Sequence, residues 1–203
     1  MKTFFIDSKS KLKISNSELV LILKSLPKEI LITYSIQYKD IANQIYTLLS
    51  KKNSIAHPVQ VLGCSKLKLS KTIKAILLIG SGRFHASSLA LETKLPIYIL
   101  ENKKITKISE KEISNLEKKQ KANYVGFLNA ENIGILISTK PGQENLKKAI
   151  EFKKKCKNKK SYLFLGNNLS VSEFENFGLD FYVNTSCPRL DMDSSKIINL
   201  SRL

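Results

Sequence analysis

Short apolar segments alternate with amphipathic segments along most of the chain, and this alternation limits the possible folds more than any other feature. The apolar runs, such as residues 75–79 and 133–137, are far too short to cross a membrane. Between the apolar residues 30–32 and 75–79, Ile41, Ile45 and Leu48 recur at helical spacing. This order is typical of βα units that build a parallel sheet. The sequence therefore predicts an α/β protein.

The predicted elements form two blocks that are joined by a charged helix. Strands are predicted at residues 3–6, 29–33, 57–63, 75–79, 96–100, 133–138, 162–165 and 181–184. Helices are predicted at residues 16–25, 38–51, 87–93, 109–129, 144–155 and 170–177, the first of them capped by Ser15 or Asn16. We expect two doubly wound α/β domains with parallel sheets of the four-stranded type, and residues 109–129 as the connecting helix.

The net charge of +17 raises the question of a nucleic-acid partner. Lysines are concentrated at residues 110–121 and 153–160, and clustered lysine binds phosphate without sequence preference. Aromatic residues do not alternate with these lysines, as a platform for single-stranded nucleic acid requires. A solvated basic surface is therefore the favoured interpretation, with nucleic-acid binding as the alternative. Only three of the 34 basic residues are arginine, namely Arg83, Arg189 and Arg202. Their rarity suggests positions where a planar guanidinium binds a carboxylate or phosphate through two hydrogen bonds.

The three cysteines lie at irregular spacing and do not suit a disulfide framework. No apolar signal core follows Met1, so we expect a cytoplasmic protein without a membrane segment. Cys64 and Cys187 each lie in a polar turn after a predicted strand, where a metal-ligand role and a structural role are both open. Cys156 lies at the end of a lysine-rich helix, and we expect no function for it.

Four unusual segments follow predicted strands, at residues 63–65, 80–85, 138–143 and 185–189. Because ligands of α/β proteins bind at the carboxyl ends of strands, we expect these segments to form one composite site. The turn at residues 80–82 offers backbone N–H groups to an anion, and Arg83 adds a bidentate donor. His85 has either a binding role or a structural one. Residues 138–143 suit an anion or an amino-acid headgroup, with an ordinary polar loop as the alternative.

Together these segments resemble one family, the archaeal form of 2-(3-amino-3-carboxypropyl)histidine synthase, which acts in the first step of diphthamide biosynthesis. The resemblance is carried by Val-Gln-Val-Leu-Gly-Cys at residues 59–64 and Gly-Arg-Phe-His at 82–85. It continues with Gly-Ile-Leu-Ile-Ser-Thr-Lys-Pro-Gly-Gln at 134–143 and Val-Asn-Thr-Ser-Cys-Pro-Arg at 183–189. Order and spacing agree over nearly the whole chain, and the last two motifs are specific.

The resemblance implies three stacked α/β domains, each of which gives one cysteine to a 4Fe–4S cluster. The cluster would bind S-adenosylmethionine and cleave it to a 3-amino-3-carboxypropyl radical, which attacks a histidine of translation elongation factor 2. It implies Cys64 and Cys187 as metal ligands. It also implies a cofactor pocket formed by Gly82, Arg83, His85, Ser138, Thr139, Lys140, Gly142, Gln143 and Arg189.

By this resemblance, residues 1–25 are the remnant of a preceding domain, residues 26–108 the middle domain and residues 109–203 the connecting helix with the last domain. Three hypotheses follow, because the third cluster cysteine has no counterpart. The favoured hypothesis is a split enzyme, in which a separate chain supplies the missing domain and cysteine. The alternatives are a non-catalytic accessory or electron-relay subunit, and a basic RNA- or ribosome-binding module on a decayed scaffold. The resemblance also suggests a dimer.

Overall fold

The computed structural model describes residues 4, 6, 8–51, 55–62 and 65–203, and these form two compact units, Met1–Ile113 and Ser114–Leu203. Both units are α/β with largely parallel sheets, which confirms the predicted fold class. The predicted strand at residues 3–6 falls on a segment that is largely outside the described residues, and Cys64 lies outside them too. Among the described residues, no helix combines the length and apolar character that crossing a membrane requires.

The first unit contains a five-stranded sheet in the order β2-β1-β3-β4-β5. Its strands are β1 (Ile30–Tyr34), β2 (Val59–Gln60), β3 (Ala75–Ile79), β4 (Ile97–Glu101) and β5 (Lys104–Lys107). Its helices are α1 (Asn16–Leu23), a 3₁₀ turn (Ile36–Tyr38), α2 (Lys39–Ser50), α3 (Arg83–Thr93) and the start of α4 (Glu110–Asn129). Ser15 caps α1 in a capping box with Glu18, as its sequence predicts.

The two central strands of this sheet are buried on both faces, as strands covered by helices on both sides must be. Ile30 and Ile32 pack with the apolar residues of α1 and α2, whereas Leu31 and Ile76 pack with those of α3. Successive side chains of a strand point to opposite faces, so each strand supplies both cores. This double coverage explains why both strands are continuous apolar runs in the sequence.

The antiparallel edge strand β5 was not predicted. It pairs with β4 through a two-residue turn at Asn102 and Lys103, whose φ angles are +47° and +65°. Two positive φ angles define the turn that joins strands with the ordinary right-handed twist. Because neither residue is glycine, the sequence lacked the usual signal of such a hairpin, and the sheet has one strand more than expected.

The second unit contains a four-stranded parallel sheet in the order β7-β6-β8-β9. Its strands are β6 (Asn132–Ser138), β7 (Lys160–Gly166), β8 (Phe181–Asn184) and β9 (Ile197–Asn199). After the remainder of α4 come the helices α5 (Leu146–Lys155), α6 (Val171–Phe174) and α7 (Leu190–Asp193). Two 3₁₀ turns, Glu175–Phe177 and Leu200–Arg202, complete it. The strand β9 and the helix α7 were not predicted, and both are only three or four residues long.

Strand β6 is central to this unit, and its two faces meet different partners. Ile135 packs on α5 through Ala149. On the other face Leu136 packs among aromatic rings, one of which covers Gly134 closely. A Cβ atom at Gly134 would lie 2.5 Å from Cδ1 of Tyr182, so only glycine fits there without a shift of the ring. The first Gly of this sequence motif is therefore a packing requirement.

Candidate metal and cofactor site

Cys187 lies in the loop that follows β8, at the carboxyl edge of the four-stranded sheet. Two buried asparagines hold the backbone of this loop. The Asn184 side-chain amide donates to the Cys187 carbonyl at 2.8 Å and to Oδ1 of Asn199 at 2.6 Å, while the Asn199 amide donates to the Pro188 carbonyl at 2.9 Å. The thiol itself is half-buried, and among the described residues it forms neither a disulfide nor a hydrogen bond. Hydrogen bonds thus hold the backbone of the loop, whereas the Cys187 thiol is a free cysteine.

The loop that follows β6 is hydrogen-bonded to the Cys187 loop. The backbone N–H of Ser138 donates to Oγ of Ser186 at 2.7 Å, and the Asn145 amide donates to the Thr185 carbonyl at 2.8 Å. The Thr185 hydroxyl in turn donates to the Leu136 carbonyl at 2.8 Å. The predicted residues of the two loops therefore lie side by side at one edge of the second unit.

The loop at residues 138–143 has a defined backbone. Ser138 is buried, and its hydroxyl accepts a hydrogen bond from the N–H of Lys140 at 3.1 Å, which is a structural task. The N–H of Gln143 donates to the Lys140 carbonyl at 3.0 Å around Pro141 and Gly142, whose φ is +78°. This is a type II turn, with proline and glycine where that turn favours them. In the described structure the side chains of Thr139, Lys140 and Gln143 take no part in the hydrogen bonds of the loop.

A buried carboxylate lies four residues after Cys187, in α7. Asp191 is 2% exposed, and its Oδ2 lies 2.5 Å from Nη1 of Arg202. Burial raises the pKa of Asp191 to about 6, although Arg202 and then Lys119 oppose the rise. Lys119 also donates to the Met192 carbonyl at 2.5 Å, which ties α7 to α4. The sequence did not predict that Asp191 is buried in an ion pair. The rarity of arginine was the only signal that Arg202 has a specific partner.

The predicted turn of the first unit joins β3 to α3, and its arrangement differs from the expectation. The helix α3 begins at Arg83, four residues earlier than predicted, so Arg83 and His85 lie in its first turn. The N–H of Gly82 donates to Oε1 of Glu101 at 3.2 Å and is not free for an external anion. Arg83 is exposed and forms an ion pair with Glu112. The Gly82 N–H and the Arg83 guanidinium, both expected to bind an anion, thus each meet a carboxylate of the same unit, while the Gly80 N–H donates to the Leu100 carbonyl.

The Glu112 carboxylate is itself held in place by a capping arrangement at the start of α4. It accepts hydrogen bonds from the N–H and the hydroxyl of Ser109 at 3.1 and 2.9 Å, and these bonds hold the pKa of Glu112 below its usual value. His85 is half-buried beside Phe84, and burial lowers the pKa of its imidazole. His85 is therefore neutral at neutral pH, able both to donate and to accept a hydrogen bond.

Cys156 lies far from Cys187 in the second unit. It ends α5 just before β7, whose first residue pairs with the first residue of β6, so it lies at the amino edge of the sheet. The seven residues of β6 span about 20 Å between the two edges. Cys156 packs against apolar residues such as Phe127, and burial raises its pKa. Cys156 thus lies apart from the loops of the candidate site, and its lack of a function stays a prediction.

The residues present fit a 4Fe–4S cluster only in part. Such clusters are held by cysteine thiolates. Cys187 has the setting of a ligand, Cys156 lies at the wrong edge, and Cys64 remains a predicted ligand outside the described residues. Within the part of the chain that the structure describes, no three Cys, His, Asp or Glu side chains are grouped as a metal would require. Of the three cysteines, only Cys187 lies at the carboxyl edge among the residues that the structure describes.

Comparison with known proteins shows one consistent set of relatives. The model of the diphthamide synthesis protein family matches residues 1–197. The 2-(3-amino-3-carboxypropyl)histidine synthase of Pyrococcus horikoshii is 30% identical over 142 residues, which cover 68% of this chain and 41% of that protein. The protein of the same name from Methanocaldococcus jannaschii is 30% identical over 176 residues, covering 84% of this chain and 48% of the relative. The matches thus span less than half of these two relatives.

Solved structures agree with the fold described above. Dph2 from Pyrococcus horikoshii has a TM-score of 0.79 at 24% identity, over 94% of this chain and 61% of that one. The structure of the same protein with a 4Fe–4S cluster has a TM-score of 0.76 at 24% identity, over 92% of this chain and 59% of that one.

Proposed function

The chain belongs to the family of diphthamide synthesis proteins, as its resemblance predicted, and we propose that it acts in the transfer of a 3-amino-3-carboxypropyl group. The donor in this proposal is S-adenosylmethionine, and the acceptor is a histidine of translation elongation factor 2. One observation carries the proposal beyond family membership. The Cys187 loop and the loop at residues 138–143 are joined by hydrogen bonds at the carboxyl edge of parallel strands, where α/β proteins bind their ligands.

In this proposal Cys187 is one thiolate ligand of a 4Fe–4S cluster and Cys64 is another. The chemistry that a reduced cluster supplies is the one-electron cleavage of a carbon–sulfur bond in S-adenosylmethionine. The buried amides of Asn184 and Asn199 hold the backbone carbonyls of Cys187 and Pro188, so the backbone that carries the thiol is already fixed before a ligand binds. Preorganisation of this kind limits the conformational cost of binding.

The amino-acid part of S-adenosylmethionine carries a carboxylate, for which the chain offers several cations and amides. Lys140 follows β6 and Arg189 follows β8. Gln143 ends the type II turn that begins at Lys140. Arg83 is a further candidate, and it would have to exchange the Glu112 carboxylate for that of the ligand. His85, neutral at neutral pH, would contribute a polar contact without adding charge.

The shortage of thiolates supports the split-enzyme form of this proposal. A cluster with one open iron needs three cysteines, and this chain offers Cys64 and Cys187 while Cys156 lies at the opposite edge of its sheet. We therefore propose that the third thiolate comes from outside these 203 residues, supplied by a separate chain. An accessory or electron-relay subunit is the alternative role.

The proposal is tested by anaerobic purification of the full chain, alone and with a candidate partner that carries the missing cysteine. Iron content is measured in both samples, and so is the release of methylthioadenosine from S-adenosylmethionine after reduction with dithionite, which supplies the electron for the cleavage. We expect both readouts only with the partner. Full iron loading without a partner would refute the split enzyme, and iron loading with the partner but no cleavage would favour the electron-relay role.

Two matched variants test the assignment of the ligand. Cys187→Ser should abolish iron loading of the assembled enzyme, because a hydroxyl is a poor substitute for a thiolate. Cys156→Ser changes the same atom at the other edge of the sheet and should leave iron loading and cleavage unchanged. Equal loss in the two variants would contradict the ligand role of Cys187.

A further inference from the structure

The positive charge of the second unit is concentrated in one segment. Residues 114–203 carry 15 basic and nine acidic side chains, and eight of the basic ones lie between residues 147 and 160. Glu151 is the single acidic residue of that segment. The remainder of the unit carries seven basic and eight acidic side chains and is therefore almost neutral. Within the second unit the positive charge is therefore a patch, whereas residues 1–113 carry 19 basic and eight acidic side chains distributed along their length.

The fold turns this segment outward. Ala149 and Phe152 of α5 pack against the sheet, so the opposite face of the helix meets solvent. Seven lysines are exposed on α5 and on the segment that leads into β7, namely Lys147, Lys148, Lys153, Lys154, Lys155, Lys157 and Lys160. We call them the α5 lysine surface. None of the seven forms an ion pair with any residue that the structure describes.

The eighth lysine of the segment shows what a structural role looks like here. Lys159 is half-buried, and its ammonium group donates to the carbonyls of Leu128 and Ala130 at 2.8 and 2.5 Å. It also lies 5.1 Å from the ring centroid of Phe127. Lys159 thus caps the carboxyl end of α4, whereas the lysines of the α5 lysine surface support no element in this way.

We propose that the α5 lysine surface binds the phosphate backbone of a nucleic acid without sequence preference. A lysine ammonium is a flexible point charge that suits phosphate, and its contacts gain affinity by releasing counterions. An acidic protein partner is disfavoured, because protein interfaces are enriched in aromatic residues and arginine and depleted in lysine. The surface contains no arginine, and its helix exposes a single large apolar side chain, Ile150.

Five of the seven lysines, those from Lys153 to Lys160, lie away from the candidate iron site. The end of α5 and residues 157–160 lie at the amino edge of the sheet, whereas Cys187 lies at the carboxyl edge. Changes at Lys153, Lys154, Lys155, Lys157 and Lys160 should therefore leave iron binding unaffected. Lys147 and Lys148 begin α5 beside the candidate site and stay unchanged in the test. Nucleic-acid binding can be tested independently of the proposed enzyme activity.

The test measures binding of the full chain to a short fluorescent RNA duplex, and to a DNA duplex of the same sequence, by fluorescence anisotropy. If four lysines contact phosphate, affinity should fall about 100-fold between about 50 and 200 mM salt. The variant with Lys153, Lys154, Lys155 and Lys157 all changed to Gln should lose most of this affinity and of its salt dependence. Unequal affinity for the two duplexes shows whether the surface prefers the phosphate backbone of RNA or that of DNA.

The control removes the same number of charges elsewhere, by changing Lys24, Lys28, Lys104 and Lys107 to Gln. These lysines are exposed on the first unit, and we expect their loss to weaken binding only slightly. An equal loss in both variants, no binding by the unchanged chain at low salt, or equal competition by polyglutamate would each overturn the proposal. Protection of the α5 lysines from acetylation by bound duplex tests it in the unchanged protein.

Discussion

Replacement of Asp191 by asparagine should remove a pH dependence of stability that the buried carboxyl creates. The pKa of this carboxyl rises from 3.8 to about 6 on folding, chiefly because burial disfavours the charged form. Between these two values the folded chain binds more protons than the unfolded chain does. The free energy of unfolding therefore falls as the pH rises through this window.

The size of the effect follows from the same pKa values. At neutral pH, ionised Asp191 destabilises the fold by about 3 kcal/mol relative to its protonated form. About 2 kcal/mol of this should be recovered when the pH is lowered from about 7.5 to about 4.5. Asparagine resembles the protonated carboxyl in size and carries no charge. Arg202 loses its ionic partner in the variant but is partly exposed and can be solvated.

Equilibrium urea unfolding of the full chain and of the Asp191→Asn variant, each at both pH values, measures this term. At each pH, the unfolding free energy of the unchanged chain is subtracted from that of the variant. Comparing this difference between the two pH values cancels the contributions of the other titrating groups. We expect asparagine to be stabilising at the higher pH, and less so by about 2 kcal/mol at the lower pH. If the chain unfolds in two transitions, the one that responds reports on the second unit.

Asp180→Asn provides the control, because the sign is opposite at that position. Backbone N–H groups of Asn132 and Glu131 hold the pKa of the exposed Asp180 below its usual value. Its contribution to stability is lost only as the pH falls through the range below about 4. The Asp180→Asn effect should therefore be the same at both pH values. Parallel behaviour of the two aspartate variants would refute the reasoning about Asp191.

Three further substitutions test packing, capping and a surface ion pair, all by urea unfolding. Gly134→Ala should destabilise by about 1–3 kcal/mol, since its Cβ would displace the Tyr182 ring, and an unchanged midpoint would contradict this. Lys159→Met should cost about 1 kcal/mol through the loss of the α4 cap, whereas Lys160→Met at the exposed neighbouring position should cost almost nothing. Glu112→Gln should cost less than about 1 kcal/mol, because the ion pair that it breaks is largely exposed, and a larger loss would point to coupling with other groups.

The fold could be predicted largely because its central strands are buried on both faces. The strands at residues 75–79 and 181–184 begin and end where the sequence predicted them. The missed elements β5, α7 and β9 are each only three or four residues long. β5 depends on a hairpin without glycine, and β9 is a three-residue strand that exists because β8 lies beside it. Such edge strands are decided by pairing, which a local pattern does not reveal.

The candidate site was predictable at the level of position. A parallel sheet places the loops after its strands at one edge, so the sequence alone placed Cys187 near residues 138–143, and the hydrogen bonds between these loops confirm their proximity. What each side chain does at the site was not predictable in this way.

Only the tertiary structure decided which polar groups are already engaged. Ser138 binds within its own loop, Arg83 meets Glu112 across 29 positions, and Asp191 meets Arg202 in a buried pair. Local patterns report the periodicity and polarity of neighbouring residues. The partner of a charge depends on which distant segments the sheet brings together, and its pKa depends on how much water those segments exclude. The sequence thus determined the fold class and the edge where chemistry is expected, and the packing decided which groups at that edge and elsewhere are already committed to holding the protein together.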